Sequence, residues 1–194
     1  LDGIEGILNL AAASGEDLGT TSDIVTDALT AFGLKASDAA HFSDVLAQSA
    51  ASANTNVSMM GESFKYVAPI AGAMKYSVED TSLALGLMAN ASVKGSMAGT
   101  SLKTALANMA APTDKMATAM KKYGISLTDS NGNMKTLKGV LDNLRSSLGG
   151  LSETEKTAAA STIFGKEAMS GMLAIINATE SDYNKLAESI NNAD

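Results

Sequence analysis

No cysteine and no tryptophan occur among the 194 residues, and histidine and arginine appear once each, as His41 and Arg145. Without thiols there can be no disulfide framework and no thiolate metal site. A lone histidine beside Phe42 has no obvious ligand set or catalytic partner, and reads as a surface or packing residue. Aromatic residues make up only 4 % of the chain, whereas apolar residues make up 45 %. Alanine, leucine and eleven methionines must therefore fill the core, which favours closely approaching helices over a thick sheet sandwich. The formal charge of −7 comes from 21 acidic residues against 14 basic ones. Phosphate neutralisation requires clustered cations, but the chain offers only Lys121-Lys122 and the loose set Lys135, Lys138 and Arg145. A solvated helix face accounts for both groups, so no direct nucleic-acid site is expected. There is no apolar run of eighteen residues to span a bilayer, and the start has neither the basic region nor the apolar run of a signal peptide. The chain opens on Leu1 within a helical pattern, which predicts a segment of a longer protein.

Helical periodicity runs through most of what is present. Ile4, Ile7, Leu8 and Ala11 predict one apolar face of a first helix that ends near Gly15. Thr20-Thr21-Ser22 predicts the cap of a second, with Ile24, Ala28, Leu29 and Phe32 buried and Gly33 as its left-handed stop. Ser37 and Asp38 open a third, carrying Phe42, Val45, Leu46 and Ser49. A fourth spans about 58–76, where Pro69 should bend or split it. Ser77 starts a fifth, and the small-residue run from Gly95 to Thr100 feeds a sixth. Pro112 and Thr113 introduce a further helix that ends at Gly124. Ile125 to Leu137 alternates apolar and polar residues around Asn131-Gly132, which predicts a β-hairpin. Helices resume at Leu137, at Ser152 with Glu155 in capping-box spacing, and again after Gly165. The expected fold is mainly α, a bundle of about ten short helices with one small β-hairpin near residues 125–137. It is read as one unit, 1–194, or as subdomains 1–111 and 112–194.

Candidate chemistry is sparse. Acidic pairs such as Glu16-Asp17 and Glu79-Asp80 sit at helix starts, where the dipole already favours them. Asp129 to Asn133 suggests a calcium loop, but aligning Gly132 as the loop glycine places Leu127 and Lys138 at ligand positions, so that reading fails. The Gly95–Thr100 run lacks the lysine of a phosphate-binding loop and follows a helix. It reads instead as a close helix–helix connection. No catalytic, metal or cofactor site is expected, and the chain is read as a non-enzyme.

Several ordered blocks resemble one family. Ala31-Phe32-Gly33-Leu34, then Phe42 to Ala47, then Ser52 to Val57, are similar to the core region of siphophage-type tail tape-measure proteins. So are Gly95-Ser96-Met97-Ala98-Gly99-Thr100-Ser101-Leu102, Pro112-Thr113, the Tyr123-Gly124-Ile125 step towards Asp129 and Gly132, and Ile163-Phe164-Gly165 with Glu167-Ala168. The resemblance implies a structural and assembly component of the virion, placed in the tail lumen and made in the host cytoplasm, that sets tail length and assists DNA ejection. It implies tail-tube and tail-tip proteins, assembly chaperones and self-association as partners, with membrane contact only during ejection. It carries no active-site residues. Phe32, Gly33, Gly95, Ala98, Gly99, Thr100, Leu102, Gly132, Phe164 and Gly165 transfer as structural positions only. The alternative is a muralytic or membrane-active module of a tail component. A single straight helix of this length would reach ~290 Å. The frequent breaks predict instead a folded module with a radius of gyration of ~16 Å.

Overall fold

Most helices in the computed structural model, which describes residues 2–193, begin or end on a residue suited to that task. Asp17, Asn56, Ser77, Thr113, Thr136, Ser152 and Thr179 each accept a backbone N–H from the first turn that follows. Such side chains satisfy donors that the helix cannot. Gly33 and Gly124 close their helices in the left-handed conformation, which glycine adopts without a Cβ penalty. The result among the described residues is eleven α-helices: α1 (Asp2–Ser14), α2 (Leu18–Phe32), α3 (Ala39–Ser52), α4 (Val57–Ala73), α5 (Val78–Asn90), α6 (Ser96–Ala110), α7 (Asp114–Tyr123), α8 (Leu137–Leu148), α9 (Glu153–Phe164), α10 (Lys166–Asn177) and α11 (Glu180–Asn191). A single 3-10 turn, Ala36–Asp38, precedes α3.

Helix α5 lies at the centre, with every residue from Thr81 to Ala89 buried. Helices α3, α6, α8, α10 and α11 all touch it. Helix α4 packs between α2 and α6, α10 joins α6 to α9, and α7 lies on α9. The buried side chains form one continuous cluster from Leu10 to Ala193. Its few rings gather where three helices meet: Phe64 of α4 takes Phe32 of α2 and Phe42 of α3 edge-on, with centroids 5.8 and 5.4 Å away. Such edge-to-face pairs suit the ring quadrupoles. Elsewhere small residues let backbones approach. A Cβ on Gly6 would lie 2.7 Å from the Ala40 Cα, and one on Gly72 would lie 2.5 Å from the Ala31 carbonyl oxygen.

Several expectations need correction. The hairpin is absent: between 125 and 137 the only pairing is a single bridge, Thr128 to Met134. The Asp129 carboxylate accepts the Asn131 and Asn133 N–H groups at 2.9 and 3.0 Å. That side chain competes for the donors a ladder would use, and burial of Ile125 and Leu127 fixes the loop to the helices. Helix α4 is not split at Pro69 but runs through it. The proline and Lys65, whose carbonyl loses its donor, are both exposed, so the loss falls on the solvent side of the helix and not in the core. Helix α2 begins at Leu18, capped by Asp17 and not by the threonines, and Thr21 and Val25 are buried with Ala28, Leu29 and Phe32, whereas Ile24 is only half-buried. On α1, the buried side is Gly6 and Leu10, whereas Ile4 and Leu8 are exposed. Glycine contact with α3 rotates that helix away from the alignment that its largest apolar residues suggest.

Candidate functional site

The polar side chains that come together inside the fold bind helices to one another. Arg145 of α8 donates to the Ile175 and Ala178 carbonyls at 2.8 and 2.7 Å, at the C-terminal end of α10. Its guanidinium also lies 4.2 Å from the Tyr183 ring centre on α11. Arginine is thus no part of a solvated face; its planar fork both caps and stacks. The Tyr183 hydroxyl donates to Asp142 at 2.5 Å. Burial, followed by that carboxylate, pushes the Tyr183 phenol well above its ordinary range, and Arg145 opposes the shift. Lys135 reaches Asn143, and Lys138 reaches Asp142, so these two also have partners on α8. Lys121 and Lys122 are exposed in the last turn of α7, where the helix dipole favours cations. Lys156 is only 5 % exposed and donates to Glu153 and Asn177 at 3.1 and 2.8 Å.

His41 meets the Glu79 carboxylate, joining the start of α3 to the start of α5. Nearby, the Tyr76 hydroxyl is buried without a hydrogen-bond partner, and burial pushes its phenol up to about 12. Replacing Tyr76 with Phe should therefore leave stability unchanged or raise it by up to ~1 kcal/mol, because an unpaired buried hydroxyl is unfavourable. Denaturant titration measures this. The folded chain keeps Tyr76 protonated where the unfolded chain ionises near pH 10. Stability held below pH 10 should thus fall as pH rises towards 12, and less steeply in Tyr76→Phe. Among the described residues, no group of three or more His, Asp or Glu side chains is placed to hold a metal ion, and no helix is long and apolar enough to cross a membrane.

The structural positions expected from sequence fall into three places and one outlier. Gly95 begins α6 at φ 65°, and its carbonyl accepts the Ser63 hydroxyl at 2.6 Å. One turn on, a Cβ at Gly99 would lie 2.3 Å from the Ser63 carbonyl oxygen. Ala98 and Leu102 are buried beside it and Thr100 is exposed. Phe32 joins the same α4 helix through Phe64, with Gly33 turning the chain away. Phe164 is fully buried and its carbonyl accepts the Asn108 amide of α6 at 2.8 Å, and Gly165 at φ 87° starts α10. Gly132 stands apart at an exposed loop tip. The glycines Gly3, Gly6, Gly61, Gly72 and Gly171, which also allow close contacts between helices, escaped sequence reasoning. Small residues one helical turn apart, as in Gly3 and Gly6, were the available signal.

Charge is unevenly spread along the chain. Residues 1–64 hold nine acidic residues and one lysine, while residues 94–145 hold eight basic and three acidic ones. The most exposed large apolar residues include Ile4, Leu8 and Leu18, all within the acidic part.

Comparison with known proteins gives a consistent result. A family model described as phage-related minor tail protein matches residues 1–165. The chain is 40 % identical over 194 residues to the tape measure protein of Pneumococcus phage Dp-1, covering 100 % of this chain and 17 % of that protein. It is 30 % identical over 173 residues to the probable tape measure protein of Escherichia phage P2, covering 88 % of this chain and 21 % of that protein. The chain therefore spans about a fifth of the length of these curated relatives. No solved structure matches it.

Proposed function

Because the chain belongs to the phage-related minor tail protein family and is similar along its whole length to a tape-measure protein, we propose that it is a folded, non-catalytic module of such a protein. The observation that carries this reading is the full-length similarity, joined to a path of eleven described helices separated by ten breaks at caps and turns. A length standard works by extension, at ~1.5 Å per helical residue. Helices of ten to seventeen residues folded back on a shared core convert little of their sequence into length. The module therefore acts in starting assembly or in DNA ejection, and other parts of the parent chain supply the measured length. It lies in the tail lumen, with tail-tube and tail-tip proteins and assembly chaperones as partners.

The test is an in-frame deletion of this segment in a parent phage, with electron microscopy of the tails and an infection assay. Full-length tails that fail to deliver DNA, or no tails at all, are expected. Tails that assemble but are shortened by roughly the length of an extended helix of these residues would place the segment in the ruler and overturn the proposal.

A further inference from the structure

Asn131-Gly132 is the only place in the chain where an asparagine precedes a glycine. It forms the tip of the loop between α7 and α8, where every residue from Thr128 to Met134 is exposed. Backbone and carboxylate bonds close that tip. The Gly132 N–H donates to the Asp129 carbonyl at 3.1 Å, and the Asp129 N–H donates to the Asn133 carbonyl at 2.8 Å. The Asp129 carboxylate accepts the N–H groups of Asn131 and Asn133. The Asn131 carboxamide takes no part in these bonds. Ile125, Leu127 and Leu137 are buried and hold both ends of the loop on the helices, so the tip can open without disturbing them.

We propose that Asn131 is a site of spontaneous modification, converting to aspartate and isoaspartate in the folded chain ahead of every other asparagine, at a rate set by the Asp129 turn. Asparagine is among the thermolabile side chains, because its carboxamide carbon lies within reach of the next backbone nitrogen. At most positions the following side chain screens that nitrogen and restricts its torsions, and glycine does neither. The Gly132 nitrogen attacks Cγ of Asn131. A C–N bond forms, the Cγ–Nδ2 bond breaks, and Nδ2 leaves as ammonia with the proton that Gly132 gives up. Water then opens the cyclic imide at either carbonyl. One opening gives aspartate. The other gives isoaspartate, whose main chain passes through the former side chain and is one methylene longer. Both products add a negative charge close to the Asp129 carboxylate. The closed turn opposes the attack, since Gly132 donates its N–H to Asp129 and must leave it to reach Cγ. Those bonds are exposed to solvent and open at small cost, so conversion proceeds through the open tip. The inference depends on this loop alone and not on the part the segment plays in the tail.

The experiment is a time course of the purified chain in warm, mildly alkaline buffer, followed by tryptic peptide mapping. Cleavage after Lys122 and Lys135 isolates residues 123–135, and electron-transfer fragmentation places the change and separates isoaspartate from aspartate. Conversion at Asn131 is expected before any other asparagine reacts, with the helical circular dichroism unchanged. Asn133 is an internal control, equally exposed but followed by Met134. Gly132→Val should slow conversion at least about tenfold, folded or in urea, because a branched side chain screens the nitrogen. No atom lies within 4 Å of a Cβ built at Gly132, so the helices should be untouched. Asp129→Ala, which removes two bonds from the turn, should speed conversion of the folded chain about threefold or more. In urea, where no turn forms, the parent and Asp129→Ala should convert alike, both faster than the folded parent. An Asn131 still intact when another asparagine has converted would overturn the proposal, as would equal rates for the parent and Gly132→Val. Equal rates for the folded parent and folded Asp129→Ala, or the same difference persisting in urea, would overturn control by the turn.

Discussion

Gly99→Val should lower the free energy of unfolding by about 3 kcal/mol or more, placing it among the most damaging single changes that α6 can carry. The reason is geometric. A Cβ at Gly99 would lie 2.3 Å from the Ser63 carbonyl oxygen and 2.9 Å from the Ser63 Cα. Both are backbone atoms, which cannot swing aside as a side chain could. Helices α4 and α6 would have to separate, which opens space around Phe64 and Leu102, both fully buried, and breaks the Ser63–Gly95 hydrogen bond. Even Gly99→Ala should destabilise. In an unpacked helix the same change stabilises by ~1 kcal/mol through propensity alone, so the inverted sign identifies packing as the cause. Urea titration followed by circular dichroism measures both variants. An Ala variant as stable as the parent would mean that α4 and α6 do not approach as described.

Arg145→Met should cost about 2–3 kcal/mol, although the side chain is only half-buried and no carboxylate among the described residues forms a salt bridge with it. Its guanidinium serves the Ile175 and Ala178 carbonyls, at the end of α10 where carbonyls lack intrahelical partners. It also stacks on Tyr183, so α8, α10 and α11 share one anchor. Arg145→Lys should recover only part of the loss, since an ammonium cannot cap two carbonyls and stack in one plane. A double-mutant cycle with Tyr183→Leu should give a coupling of about 0.5–1 kcal/mol, the share carried by the stacked ring. No coupling would confine the role of Arg145 to capping α10.

These two residues also mark how far the chain can be read before it folds. Helix boundaries at Ser77, Thr113 and Ser152 were legible because capping is local: side chain and donor lie within one turn of sequence. The same holds for the left-handed stops at Gly33 and Gly124. Ile125–Leu137 misled because alternation and Asn131-Gly132 describe a hairpin equally well. A single carboxylate, Asp129, redirects the donors. The stripe on α1 misled for a tertiary reason. Large apolar residues suggest the buried side, but glycine against alanine allows the closer contact, and Gly6 decided the rotation. Sequence alone groups Arg145 with nearby lysines, because its partners, thirty and more residues away, have no local mark. Among the candidate positions, Gly95, Gly99 and Leu102 could be named in order from sequence, but their meeting with Ser63 could not. That contact joins helices across a separation no periodicity records.

A folded module and a stretch of ruler differ most in their dimensions in solution. Small-angle X-ray scattering of the purified chain separates them most directly. A radius of gyration of about 16 Å with a bell-shaped Kratky curve is expected for 194 residues packed on one core. A rod-like profile, with a longest dimension approaching the ~290 Å of a continuous helix, would contradict the folded module.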